Sequence, residues 1–198
     1  QEHILVERDG PLQIIRLNRP DKKNAITRAM YATMSAALAA GDADPAVRAH
    51  VFLGVPGAFS AGNDLADFMA MAVGGEGGEE VWGFLGAIAG AAKPMISGVD
   101  GIAVGIGTTL NLHCDLTFAT PRTMFHTPFT DLGLVPEAGS SLLVPAILGR
   151  QQAFAMLAAR LFGIVEQLQS HAVGVITQTR KGMQAAVNID ADIVNAIA

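Results

Sequence analysis

Apolar and polar positions at the start of the chain form two short β-rich runs, Ile4 to Glu7 and Leu12 to Leu17. Asp9-Gly10 joins them, a dipeptide that tolerates the positive φ of a tight turn, so the pattern predicts a hairpin. From Thr27 to Ala40 apolar residues return at helical spacing (Ile26, Met30, Met34, Ala37, Leu38), with Thr27 placed as N-cap and Gly41 as C-terminal stop. Ala49 to Leu53 reads as a buried strand, and the turn-rich run from Gly54 to Asp64 leads towards a second helix. The alternation then repeats: a strand at Met95 to Val99, glycine-spaced turning at Gly101, Gly105 and Gly107, a short helix to His113, and a strand at Leu116 to Ala119. Alternation of this kind predicts an α/β fold with parallel strands. The glycine- and charge-rich run Gly74 to Glu80 predicts a mobile surface loop, a lid or a connector. Beyond Ala158 the pattern weakens, and Leu161 to Ile176 is apolar without clear capping signals.

Composition narrows the function classes. A chain of 198 residues with 51% hydrophobic content can bury one sizeable core. A formal charge of -5 offers no basic surface for a phosphate backbone, which argues against nucleic acid as a partner. The single cysteine, Cys114, has no internal disulfide partner, and Gln1-Glu2-His3 starts no basic-then-apolar leader, so a cytoplasmic protein is expected. The uncharged apolar run Val81 to Ala92 is too short to span a bilayer, and no membrane association is expected.

Familiar cofactor cradles are missing from the sequence: there is no GxGxxG, no GxxxxGK[ST] and no HExxH. His3, His50, His113, His126 and His171 lack the i,i+3 or i,i+4 pairing of metal ligands, so no metal site is expected. Ser60 lacks the flanking glycines of a hydrolase nucleophile elbow. Two glycine-containing strand-to-helix turns remain, Ala61-Gly62-Asn63-Asp64 and Gly105-Ile106-Gly107. Each can present backbone N–H groups to developing negative charge, and two such groups facing one cavity would grip a single thioester oxygen and stabilise an enolate. Tight turning and close helix-strand packing account for either turn taken singly. Glu137, in Leu134-Val135-Pro136-Glu137-Ala138-Gly139-Ser140-Ser141, is a candidate base if burial raises its pKa. A solvent-exposed carboxylate complementing a helix N-terminus fits the same residues, and Asp131 and Asp64 carry the same two readings.

Taken in order, the motifs resemble the crotonase (enoyl-CoA hydratase/isomerase) superfamily. Ala58-Phe59-Ser60-Ala61-Gly62-Asn63-Asp64-Leu65 is similar to its AFxAGxD segment. Lys93 to Gly107 followed by Cys114-Asp115-Leu116 is similar to its KPxIAxVxGxAxGxG…CD pattern, and Leu132-Gly133-Leu134-Val135-Pro136-Glu137 follows as a third block. The resemblance implies a spiral of ββα units with C-terminal helices, a core domain over 1–158 and a divergent or incomplete helical region over 159–198. It also implies a homotrimer or hexamer that binds an acyl-CoA thioester across the two turns, with coenzyme A entering as part of the substrate and no separate cofactor. By position, the oxyanion N–H groups fall on Asn63 and Ile106, flanked by Ala61, Gly62, Asp64 and Gly105 as thioester-binding residues. The two glutamates of the family's hydratases are replaced by Thr109 and Phe129, which leaves Thr109 without an expected role and disfavours water addition. Phe125-His126-Thr127-Pro128-Phe129 with Pro136-Glu137 and Ser140-Ser141 is instead similar to the 3,2-trans-enoyl-CoA isomerase branch, in which one glutamate stands where Glu137 stands. One base then removes a proton from C2 and returns it at C4. Phe125, Phe129 and Leu134 either line a dry acyl pocket or are core. Two alternatives accompany this expectation: hydration of a 2-enoyl-CoA by another acid such as Asp67 or Glu79, and a non-catalytic acyl-CoA-binding subunit.

Overall fold

The computed structural model describes residues 2–74 and 78–158, so the expected C-terminal region and the apolar stretch 161–176 lie outside the described residues. The chain opens with strands β1 (Ile4–Asp9) and β2 (Leu12–Leu17), antiparallel about a turn in which Gly10 takes φ +52°. Helix α1 (Arg28–Ala43) starts where expected, the Thr27 hydroxyl accepting the Met30 N–H at 3.3 Å. It runs past the predicted stop: Gly41 is helical, and a Cβ there would come within 2.4 Å of Gln13 and 2.6 Å of the His50 ring. This glycine serves close helix-sheet packing rather than termination.

Next come β3 (Ala49–Leu53), β4 (Ala58–Ser60), α2 (Leu65–Gly74), α3 (Glu79–Gly90), β5 (Met95–Val99) and β6 (Ile102–Val104). The short α4 (Ile106–Thr109) continues as a 3-10 turn to His113, followed by β7 (Leu116–Ala119), β8 (Met124–His126), α5 (Ser140–Leu148) and α6 (Arg150–Leu157). The expected loop at Gly74 to Glu80 is shorter than its composition suggested, because Gly74 closes α2 and Glu79 and Glu80 open α3. Two acidic residues in a helix's first turn complement its exposed N–H groups, which favours the helix over the loop.

Among the described residues two sheets result, a five-stranded one in the order β1-β2-β3-β5-β7 and a three-stranded one in the order β4-β6-β8. Every strand pairing apart from the opening hairpin is parallel. Side chains alternate faces along β3, and both faces are buried: Phe52 joins Ile15, Leu17, Met34, Leu38, Phe84 and Ile88 beneath α1 and α3, while Val51 and Leu53 join Leu12, Ile14 and Ile96. Each fully buried large side chain contributes about 1.5–3 kcal/mol. This core holds the small sheet in place, and the loops at the C-terminal ends of β4 and β6 leave it side by side.

Candidate active site

Ala61, Gly62, Asn63 and Asp64 follow β4. Gly62 takes φ +91°, a conformation open to glycine, and its carbonyl accepts the Ile26 N–H at 2.8 Å. A trans peptide points its N–H opposite to its carbonyl, so the Asn63 N–H is directed away from Ile26. Further bonds fix the same turn: Ala61 N donates to the Lys23 carbonyl, Asp64 N donates to the Ile26 carbonyl, and the Ser60 hydroxyl accepts from Gly62 N while donating to the Asn24 carbonyl. Asn24 is fully buried and spends its side-chain amide on the Ala58 and Phe59 carbonyls.

Gly105, Ile106 and Gly107 follow β6. The Gly105 carbonyl accepts Thr108 N at 2.8 Å and Thr109 N at 2.9 Å, while its own N–H donates to the His126 carbonyl. Ile106 is the first residue of α4, where no preceding intrahelical carbonyl exists for its N–H. That N–H therefore leaves the helix end opposite to the Gly105 carbonyl.

The two turns touch. A Cβ on Gly62 would stand 2.9 Å from the Val104 carbonyl oxygen, and one on Gly107 would stand 2.7 Å from the Ser60 carbonyl oxygen. Both glycines are thus required by close approach as well as by turning, and Asn63 and Ile106 emerge from adjacent parallel strands at one end of the small sheet.

Glu137 reaches the same helix. Its Oε1 accepts the hydroxyl of Thr109, at the last residue of α4, at 2.8 Å. The carboxylate therefore turns inward, and α5 is met three residues later by the Glu137 backbone, whose carbonyl accepts from both the N–H and the hydroxyl of Ser140. Ala138 takes φ +51°, unusual for a residue with a Cβ, and its carbonyl accepts from His113 Nε2 at 2.8 Å. Burial pushes the Glu137 carboxyl above the ordinary carboxylate range, and the Thr109 hydrogen bond pulls the other way.

Asp64 is committed elsewhere. One carboxylate oxygen accepts Arg19 Nη1 at 2.7 Å, the other accepts the Ala66 and Asp67 N–H groups at the start of α2, and the Arg19 bond leads the causes holding its carboxyl below the usual range. Asp67 accepts the Arg28 N–H at the start of α1, and Glu79 is exposed. Asp131 lies in an exposed stretch. Phe129 is core: 3% exposed, it packs with Leu112, Val144, Ala153 and Leu157. Phe125 packs against the main core, whereas Leu134 is 42% exposed. No cluster of three or more His, Cys, Asp or Glu suited to a metal occurs among the described residues. Within those residues no helix is long and apolar enough to cross a membrane.

Sequence reasoning missed Thr109 as the partner of Glu137. It also missed Arg19, Asn24, Ile26 and Tyr31 as supports of the first turn, the Tyr31 hydroxyl donating to Asn63 Oδ1. Their separation from the turn along the chain leaves no local signal. The one available hint was Asn24 next to Lys23, both left-handed at φ +56° and +48°, since asparagine is enriched in that conformation.

Comparison with known proteins places this geometry in context. Residues 7–196 match the family model described as enoyl-CoA hydratase/isomerase. The chain is 38% identical over 181 residues to "Enoyl-CoA delta isomerase 2" of Rattus norvegicus, a match covering 88% of this chain and 45% of that protein, so it spans less than half the length of that relative. It is 33% identical over 194 residues to a protein of Rhizobium meliloti (strain 1021) named "Probable enoyl-CoA hydratase", covering 94% of this chain and 73% of the relative. Among solved structures, Pseudomonas aeruginosa OdaA superposes with a TM-score of 0.80 at 38% identity, over 100% of this chain and 78% of its own.

Proposed function

The chain belongs to the enoyl-CoA hydratase/isomerase family, and on that premise we propose that it moves the double bond of a 3-enoyl-CoA to the 2-position. The fold is the mixed α/β architecture of that family, with parallel sheets. The observation that carries the specific reaction is the position of Glu137. It is the half-buried carboxylate tied to α4, the helix that begins at the second N–H donor, and the family resemblance supports the reading by putting Thr109 and Phe129 at the two positions where water addition needs acids.

In this reading the thioester oxygen lies between the Asn63 and Ile106 N–H groups. Glu137 removes a proton from C2, the electron pair of the C–H bond delocalises through the 3,4 double bond and the carbonyl, and the oxygen takes up negative charge. The two N–H groups stabilise the dienolate more than the neutral thioester, an effect of about 3–4 kcal/mol per donor. Glu137 then returns the proton at C4, leaving a 2-enoyl thioester with no net change in atoms or charge. Coenzyme A enters as part of the substrate, and the reaction calls for no further cofactor. The raised carboxyl pKa matches a base that must also act as an acid. The same reading includes self-association as a trimer or hexamer, supported by the exposed Leu132, Val135 and Leu142 around Glu137. Sedimentation as a monomer at micromolar concentration would remove that part.

Glu137→Gln keeps shape and polarity but cannot accept a proton. Turnover of a 3-enoyl-CoA is expected to fall by about 1,000-fold or more, with binding of a saturated acyl-CoA retained. Substantial residual isomerisation, or hydration of a 2-enoyl-CoA as the faster wild-type reaction, would overturn the assignment.

A further inference from the structure

Asn63 carries the first N–H on its backbone, and its side chain is held as well. Its Oδ1 accepts the Tyr31 hydroxyl at 2.5 Å. Tyr31 projects from α1, is 2% exposed, and leans against Phe84 of α3 with ring centroids 5.3 Å apart at 48°. The ring is therefore wedged between two helices, and its hydroxyl has one fixed place. Burial, and after it the negative charge of Glu137, holds the phenol proton on its oxygen. Tyr31, Asn63 and Glu137 thus share one locality although α1, the first turn and the segment before α5 supply them separately.

A buried tyrosine hydroxyl requires a partner, and any nearby backbone carbonyl would satisfy it. Here the partner is the side chain of the residue whose own N–H faces the site. That choice matters mechanically. The Gly62–Asn63 peptide follows a glycine at φ +91°, free of the Cβ that would restrict its rotation; its carbonyl accepts the Ile26 N–H, and the backbone on either side is held at Gly62 N by Ser60 and at Asp64 N by the Ile26 carbonyl. These bonds hold the main chain, and the Tyr31 hydroxyl adds the anchor on the Asn63 side chain itself, which further resists rotation of that peptide.

We propose that Tyr31 is a positioning residue whose hydroxyl clamps the Asn63 side chain, fixes the direction of the Asn63 peptide N–H, and thereby sets how strongly the site stabilises an enolate oxygen, leaving affinity for the CoA thioester nearly unchanged. The inference rests on the reading of Asn63 as an oxyanion donor and is independent of which reaction Glu137 performs.

The test uses the full chain and acetoacetyl-CoA, a 3-oxoacyl thioester whose enolate absorbs in the near ultraviolet. The wild type is expected to raise the bound enolate fraction. Tyr31→Phe is expected to lower the bound enolate-to-keto ratio about tenfold, since a misdirected donor loses part of the 100- to 1,000-fold effect of a deleted one. Affinity for saturated butyryl-CoA should stay within about twofold, as the donor's extra contribution is to charge that develops only in the enolate. Asn63→Ala removes the same bond from the half-buried Asn63 end while keeping the backbone N–H, and is expected to give the same loss. It also carries the test if Tyr31→Phe folds poorly. The double variant should lose no more than either single one, the signature of a shared interaction. An unchanged enolate ratio in the single variants, additive losses in the double one, or an equal loss of butyryl-CoA affinity would overturn the inference. Absence of an enolate band in the wild type would overturn the oxyanion reading and this inference with it. Full isomerase activity in Glu137→Gln alongside an intact, Tyr31-dependent band would overturn the proposed reaction only.

Discussion

The two glycine turns each present one peptide N–H, yet they are held by different means. The second is held mostly by its own helix, with β8 as its one outside support: Gly105 gives its carbonyl to Thr108 and Thr109 within the helix it opens, while His126 bonds Gly105 N and the Thr108 hydroxyl. The first borrows its shape from residues 32 or more positions away along the chain: Arg19 on Asp64, Asn24 on the β4 carbonyls, Ile26 on Gly62, Tyr31 on Asn63. The second turn therefore needs α4 and the neighbouring β8, whereas the first depends on the segment after the hairpin, α1 and β4 being assembled together. The contrast teaches that equivalent donors need not be equally robust.

The contrast can be broken most severely where the turns meet. Gly107→Ala places a Cβ 2.7 Å from the Ser60 carbonyl oxygen and 2.8 Å from its Cβ, both on the first turn's approach. Such overpacking is expected to cost about 1–3 kcal/mol in denaturant unfolding. Displacement of the donors is expected to lower turnover about 100-fold in steady-state assays.

Asn24→Ala attacks the first turn alone. It takes the buried amide from the Ala58 and Phe59 carbonyls, the first of which keeps the Val55 N–H, and the Oδ1 acceptor from the Arg19 N–H, and a loss of about 1–3 kcal/mol is expected in the same unfolding measurement. A stability loss under about 0.5 kcal/mol would show that the borrowed turn is less dependent on Asn24 than its hydrogen bonds suggest.

Thr109→Val tests the other side, leaving α4 in place while removing the hydroxyl from Glu137. That bond lowers the Glu137 pKa against the dominant effect of burial, so its loss raises the pKa further. A base must be ionised, and the acidic limb of the kcat/KM profile is expected to move to higher pH, with about a 3- to 10-fold loss near neutrality. An unmoved limb would detach Thr109 from the base.

The smallest effect concerns stability alone. Because the folded state raises the Glu137 pKa, it holds the proton more tightly than the unfolded chain does, and stability falls as pH rises from the unfolded to the folded pKa. Glu137→Gln is therefore expected to raise Tm by one or two degrees, roughly, near neutral pH and to lose that advantage at pH below the ordinary carboxylate range. Calorimetry of both proteins across that range checks the sign.

The same contrast explains what could be read from the chain. The hairpin, α1, β3, β5 and β7 were legible because their apolar spacing records a buried face. β4, β6 and β8 have three residues each and sit inside turn-rich runs, too short for a period to register. Gly41 read as a helix stop because its real constraint, contact with Gln13 and His50, lies on another element. Asn63, Ile106 and Glu137 were found by position in three motif blocks. What those motifs omit is who holds each residue: Thr109 stands 28 residues from Glu137 and Tyr31 stands 32 from Asn63, separations at which sequence pattern carries no information about contact.

The Thr109 hydrogen bond has one further consequence. It holds Glu137 by Oε1, so a carboxylate that cannot swing carries the proton taken from substrate on one side of the bound chain. In the proposed reaction, departure from C2 and arrival at C4 then occur on the same molecular face. A substrate bearing deuterium on that face of C2 should deliver part of its label to C4 with defined handedness, in proportion to how well the closed site keeps solvent from exchanging it.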